Sequence, residues 1–450
     1  MSEKRLLGDQ PQAYEAIRLF FQLSGGGMYL LQGYAGTGKT YMTREVSELV
    51  PPKSGRIIVT APTHKAVMVL RKGTWYRNVE FMTTYAALGL RQVINSDGTV
   101  SFKPDHSMGF PADDYTHIIV DEASMTNDEI FDILVPLALE QGKKILFVGD
   151  SMQIPPVGQK FAMPFDKEVR QRYGIEVSTL NTIIRQEEGS PVIDNATLIR
   201  SRIHAPTQIL NSQAVENHLG GVYPISREKE QPFFQSDILP MYKSPMYERS
   251  IDYVKVIGWR NITVDSYNKQ IREFIFGMNL PKIIKGDKLI ADAPIVEAGR
   301  TLLNTNEEME VVDVWINNED MGEGAIIKYY YCQVRSYSMD KYNEFMIRII
   351  HEDSEEFYKK ILSLQAKLAN SYPKGSFQAR SAWIDYYKFI EHWHQVKYSY
   401  AITAHKSQGS TYENAYVLKW DIEMNRDVFE RNRILYTACT RPSKNLFIVV

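Results

Sequence analysis

Four short apolar runs, Met28–Leu31, Ile57–Thr60, His117–Val120 and Ile145–Val148, each stop abruptly at glycine or at a cluster of polar residues. Runs of this length with helical spacing between them predict the buried strands of a parallel α/β sheet. A helix is expected over 9 to 23: Asp9 can cap it, Pro11 suits its first turn, and Ala13, Ile17 and Phe20 share a face. In such sheets the loops that bind ligands leave the carboxyl ends of the strands. Here those loops read Gly33-Tyr34-Ala35-Gly36-Thr37-Gly38-Lys39-Thr40, Ala61-Pro62-Thr63-His64-Lys65-Ala66, Asp121-Glu122-Ala123-Ser124 and Gly149-Asp150-Ser151-Met152-Gln153. All four bear chemistry, so one edge of one sheet is the working face.

The pattern changes over 86 to 107, where β-formers flank Asn95-Ser96-Asp97-Gly98 and predict a projecting hairpin. Phe102 on its returning arm either stacks on a base or wedges a duplex junction, or packs the hairpin onto the main domain. From about Ser178 a second αβ region is expected, with a strand over 179–184 ending at Arg185, a strand Val254–Gly258 and a helix Asn268–Phe276. Residues 190 to 250 carry loop signals and no motif. From Lys285 to Val334 the alternation is β-like, and 379 to 396 reads as an aromatic helix whose rings belong to a core rather than to a stacking surface, the other role open to them. His392 and His394 are read as structural, because no acidic or cysteine partner lies near in sequence. The αβ pattern returns at 398–403 and ends in a strand over 445–450.

The first loop fits G-x-x-x-x-G-K-T between a strand and a helix, the context a phosphate loop requires. Gly33, Gly36 and Gly38 let consecutive N–H groups turn inward on phosphate oxygens, and the following helix adds its positive end. Lys39 would reach the β- and γ-phosphates of ATP, and Thr40 would hold Mg²⁺. Asp121 would complete the metal site, while Glu122 would polarise the attacking water. Gln153 sits where it could sense the γ-phosphate, and Gln10, through its amide, could read adenine. The material for a second α/β domain has no phosphate loop of its own, so it would close over the nucleotide of the first. Arg185 and Arg441 are then candidate arginine fingers, a device that contributes ~10³ to 10⁵ in rate.

Composition narrows the class without deciding it. With 450 residues the length prior is about three domains. Hydrophobic residues make up 44% and charged residues 24%, a globular balance, and the net charge of −2 excludes a uniformly basic nucleic-acid coat. Two cysteines, Cys332 and Cys439, are too few for a disulfide framework or a zinc site. No apolar run approaches membrane-spanning length and no signal segment follows Met1, so a cytoplasmic enzyme without a membrane partner is expected.

Taken together, Gln10, GYAGTGKT (33–40), APTHKA (61–66), DEAS (121–124), GDSMQIPPVG (149–158), Arg185, ITAHKSQGS (402–410) and YTACTR (436–441) resemble the superfamily one helicases, in order and in kind. The similarity is to the RecD/Dda-like subgroup, especially the Dda-type helicases of tailed bacteriophages, and is weakest over 190–250 and 315–380. It implies an α/β fold of two RecA-like P-loop domains. The first (1–85 and 108–178) would carry the hairpin insertion 86–107, and the second (179–284 and 397–450) an SH3-like and helical insertion, 285–396. It also implies ATP-driven 5′-to-3′ movement on single-stranded DNA with duplex unwinding, and leaves replication, recombination and repair open as the pathway served. Thr63, His64, Thr83, Thr84, His405 and Lys406 would line the DNA path, touching phosphates without reading sequence. The expected partners are single-stranded DNA, duplex junctions and a single-strand-binding or replication protein, around a monomeric motor in the cytoplasm, the host's if the chain is phage-encoded. A translocase that displaces proteins without unwinding, and a nucleotide-switched binding protein, are the other two classes the motifs allow.

Overall fold

The computed structural model describes residues 6–51, 55–72, 75, 79–94, 100–104, 110–156, 158–184, 189–208, 213–297, 300–322, 325–337 and 344–450. Its first sheet contains β1 (Gly27–Gly33), β2 (Ile57–Ala61), β3 (Val79–Thr83), β6 (His117–Val120), β7 (Lys144–Gly149) and β8 (Glu176–Leu180). The order is β3-β2-β6-β7-β1-β8, and every pairing is parallel. Strands such as β2 and β7 are buried at every position, which is why they read as unbroken apolar runs rather than alternations. Helix Gln10–Gln22 packs on one face through Ala13, Ile17 and Phe20. Between β3 and β6 stands the hairpin of β4 (Leu90–Ile94) and β5 (Val100–Pro104); its turn, 95–99, lies outside the described residues.

The strand expected over 179–184 is instead β8, four residues earlier in its end, and it pairs with β1 in the first sheet. Beyond Leu180 the backbone leaves the sheet because Asp9 captures it: Oδ2 accepts the N–H groups of Asn181 and Thr182 at 2.7 and 2.8 Å.

The second sheet adds β9 (Val215–Asn217), β10 (Gly220–Ile225), β11 (Val254–Gly258), β19 (Ala401–Thr403), β20 (Tyr412–Leu418) and β21 (Pro442–Val449), in the order β19-β11-β20-β21-β10-β9. Two glycines and Pro224 mask β10 in the sequence. The strand tolerates Pro224 because β9 pairs with β10 only as far as Val222, leaving that edge open. Helix Pro191–Ser201, also without a sequence signal, packs on this sheet. The helix expected from Asn268 starts at Asn261. A distant carboxylate, Asp421, holds its start by accepting the N–H groups of Trp259 and Arg260 and the Thr263 hydroxyl.

Between β11 and β19 the chain builds an antiparallel sheet from β12 (Lys288–Ala291), β15 (Glu308–Asp320), β16 (Ile326–Ser336), β17 (Glu344–Ile350) and β18 (Val396–Tyr398), plus the small hairpin of β13 (Ile295–Glu297) and β14 (Arg300–Leu303). Helices Glu355–Ser371 and Phe377–His392 pair beside it, the first unexpected from the sequence. Phe389 and Trp393 enter the core, but Trp383, Tyr386 and Tyr387 form a half-buried cluster, so only part of that aromatic stripe is core. His392 does have an acidic partner, Glu319 of β15 at 2.8 Å, which sequence distance concealed. No helix among the described residues is long and apolar enough to cross a membrane.

Candidate functional site

The phosphate loop leaves β1 at Gly33 and enters helix Lys39–Ser47. Gly36 and Gly38 take φ values of 79° and 77°, where a side chain would strain the backbone. A Cβ on Gly33 would stand 2.6 Å from the Thr37 hydroxyl, and one on Gly38 2.6 Å from the Gln10 amide nitrogen. The cradle is closed on itself: Lys39 Nζ donates to the Tyr34 carbonyl at 3.0 Å and Thr37 Oγ1 to the same oxygen at 2.8 Å. Thr40 is exposed at the start of the helix. Gln10 is buried, with Nε2 donating to the Thr37 carbonyl and Oε1 accepting the Leu7 N–H. Its amide therefore braces the loop here, and reading a base would require it to turn.

Asp121 and Glu122 follow β6. Glu122 has φ 51°, a left-handed conformation that costs a non-glycine residue about 1–3 kcal/mol and aims successive groups differently from a regular turn. Burial, and then the neighbouring Glu122 charge, push the Asp121 carboxyl up, against the pull of Lys39. A hard cation held between Thr40 and Asp121 suits this donor set, since it would offset that raised carboxyl. Gln153, 4% exposed, presents an Oε1 with no partner, a buried acceptor facing nothing that donates.

The second domain meets this cleft from the opposite side. Ile184 N–H donates to the Gly36 carbonyl at 2.9 Å, so the segment leading to Arg185 is anchored on the phosphate loop; Arg185 itself lies outside the described residues. The Arg200 guanidinium stacks 3.5 Å from the Tyr34 ring centre. Tyr436 of helix Val428–Cys439 donates to Asp150 Oδ2 at 2.7 Å and accepts the Ala35 N–H at 3.3 Å. Arg441 is turned away: its guanidinium donates to the Thr437 and Ser410 carbonyls and the Thr440 hydroxyl. Acting as a finger would require it to leave these partners.

The residues expected on a DNA path fall at two places. Thr63 and Thr83 cap short helices, accepting the N–H groups of Ala66 and Ala86, and Thr83 and Thr84 are buried. A groove of about 280 Å³ lies beside them, lined by Thr63, Thr84, Tyr85, Phe102, the 304–306 turn and both acids, Asp121 and Glu122. Phe102 meets Tyr85 edge-on at 5.0 Å while facing this groove, so packing and exposure to a ligand coexist. The His64 N–H donates to Glu307 Oε1 at 3.1 Å, and burial lowers the imidazole pKa. At the other place, His405 is half-buried with its pKa lowered by burial, and Lys406 pairs with Asp292 at 2.6 Å.

Several residues at this junction had no separate signal in the sequence. Lys65 bridges Asp252 and Glu308 at 2.5 and 3.1 Å, and the buried Lys255 joins Glu308 at 2.5 Å. Tyr436 lay inside the 436–441 stretch; Arg200, Arg433, Lys255 and Glu307 could be found only by folding the chain.

The paired sheets, the cradle and the acids beside it define a two-domain P-loop ATPase. Residues 8–215 match the model of an AAA domain family, and residues 398–449 that of a UvrD-like helicase C-terminal domain. The chain is 25% identical to the ATP-dependent DNA helicase dda of Enterobacteria phage T4, over 93% of each protein. It is 24% identical to an uncharacterised protein of Acanthamoeba polyphaga mimivirus, over 94% of this chain and 95% of that one. Its fold matches the Pif1 helicase from Bacteroides in complex with ADP-AlF3 and single-stranded DNA: the TM-score is 0.51 at 16% identity, covering 99% and 93% of the two chains. In sequence the chain is similar to superfamily one helicases of the Dda and RecD type, and in fold to Pif1.

Proposed function

We propose that this protein is an ATP-dependent DNA helicase that moves 5′-to-3′ along single-stranded DNA and separates duplex at a junction. One observation carries the reading: the groove that holds Thr63, Thr84 and Phe102 is walled by Asp121 and Glu122, so the residues of strand grip and of hydrolysis line one groove. Movement of a phosphate-dependent acid is then felt directly where a strand would lie.

In this reading the N–H groups of Gly36, Thr37 and Gly38 cradle the triphosphate, and Lys39 leaves the Tyr34 carbonyl to meet it. Mg²⁺, held by Thr40 and Asp121, would supply charge compensation on the phosphates. Glu122 orients and polarises the attacking water, and the unpartnered Gln153 Oε1 accepts from a water or hydroxyl of the substrate side. Arg185 and Arg441 reach the transferring phosphoryl when the second domain closes. Thr63, His64, Thr83 and Thr84 on one domain and His405 and Lys406 on the other take the strand backbone in turn, a hinge motion that converts closure into steps. Phe102 stands at the junction where strands part. The protein acts as a monomer, meeting single-strand-binding or replication proteins through its substrate.

The test is ATP turnover with and without single-stranded DNA, alongside unwinding of duplexes with 5′ or 3′ tails. DNA-stimulated turnover with unwinding confined to 5′-tailed duplexes is expected. Unwinding confined to 3′ tails defeats the direction, and stimulated turnover without unwinding on either tail points to a translocase.

A further inference from the structure

Helix Val428–Cys439 belongs to the second domain, yet three of its side chains end on the first. Arg433 is buried and donates to main-chain carbonyls only: Nε to Gln153 at 2.8 Å, Nη1 to Lys160 at 2.7 Å and Nη2 to Ser151 at 3.2 Å. Thr437 Oγ1 accepts the Ile154 N–H at 3.2 Å. Between them lies Tyr436, 1% exposed, the only side chain of the second domain that hydrogen-bonds the phosphate loop among the described residues.

Its hydroxyl has one proton and uses it on Asp150 Oδ2; a lone pair takes the Ala35 N–H. Asp150 is fully buried, and its other oxygen accepts the Met152 N–H at 2.9 Å while its carbonyl accepts the Gln153 N–H at 3.2 Å. That carboxylate therefore shapes the turn ending in Gln153. A single hydroxyl thus touches the cradle for the phosphates and the turn that carries Gln153, whose Oε1 has no partner. Both bonds cross from the second domain to the first. Arg200, stacked on Tyr34, holds the same end of the loop toward the second domain.

We propose that Tyr436 is a positioning residue for ATP hydrolysis, through which the second domain sets the phosphate loop and the Gln153 turn in one geometry. The inference rests on the ATPase reading above. Tyr436 touches no reacting atom; it acts on Ala35 and, through Asp150, on Gln153. Because a misplacement of about 1 Å can cost ~10²-fold in rate, loss of this tie should be visible in turnover more than in binding.

The experiment compares the full chain with Tyr436→Phe, which keeps the buried ring and removes only the hydroxyl. An ATP series at saturating oligo(dT) gives kcat and KM. A fall in kcat of about tenfold or more is expected, with KM for ATP and oligo(dT) affinity each within about threefold and little change in thermal midpoint. Asp150→Asn, which can still accept the Tyr436 hydroxyl, should keep more activity than Asp150→Ala, which cannot. A kcat for Tyr436→Phe within about twofold of the parent overturns the proposal. So does a parallel loss of kcat, affinity and thermal midpoint, which marks the tyrosine as interface packing alone. A parent chain with no ATP turnover defeats the ATPase reading itself, and that failure shows without any substitution.

Discussion

Lys39 Nζ lies 3.0 Å from the Tyr34 carbonyl, so the phosphate loop holds its own ammonium until something more negative takes it. Lys39→Ala is expected to lower ATP turnover by about 10²-fold or more and to abolish unwinding. Binding of a fluorescent oligo(dT), followed by anisotropy, should survive, because the strand groove is built from other residues. Substantial turnover by this variant would sink the assignment of the loop.

Phe102 stands against Tyr85 and faces the groove at once. Phe102→Ala should weaken strand separation in a forked-duplex assay while DNA-stimulated ATPase persists. If both fall equally, the ring serves to pack the hairpin and the wedge is wrong.

Glu308 is buried between Lys255 and Lys65, which join it from two domains. Burial opposes its ionisation, but the two ammonium groups outweigh that and hold the carboxyl below the usual range. A depressed folded pKa contributes stability that is present above the unfolded value and lost as pH falls through the folded one. Glu308→Ala leaves the buried Lys255 without a carboxylate, while Lys65 keeps Asp252, and should cost about 3–5 kcal/mol at neutral pH, a deficit that narrows in acid. Denaturant titrations of both proteins at pH 7 and about pH 4 check the sign; a deficit that widens in acid is incompatible with it.

Glu307 is the next residue and behaves oppositely. Burial pushes its carboxyl from 4.5 up to about 7, even though the N–H groups of Asn304 and His64 donate to it. A raised folded pKa stabilises below the unfolded value and loses that contribution as pH rises toward 7. Glu307→Gln should therefore gain on the parent between about pH 5 and pH 8, by roughly 1–3 kcal/mol. Equal stability differences at both ends of the range would show that Glu307 is ionised throughout.

The legible part of this protein was local. Gly36 and Gly38 mark the cradle because no other residue takes their backbone turn cheaply, and strands buried on both faces betray themselves as unbroken apolar runs. Val254–Gly258 and the hairpin near 86–107 were visible for similar reasons. β10 was not, since Pro224 and its glycines deny strand propensity that only an open edge excuses. The start of the helix at Asn261 depended on Asp421, far along the chain, and the aromatic stripe near 383–393 could not announce which rings its sheet would cover.

By itself the sequence determined the glycine-rich loop Gly33–Thr40 between a strand and a helix, with acids and amides at the ends of neighbouring strands, because glycine geometry and strand burial are short-range. Only the tertiary structure decided the state of each charge. Glu307 and Glu308 are adjacent identical residues, yet one is pushed toward neutrality and the other held ionised. Burial and Coulomb attraction depend on distance in space, and the ammonium groups that separate those two carboxylates come from Lys65 and Lys255, brought to them by the fold.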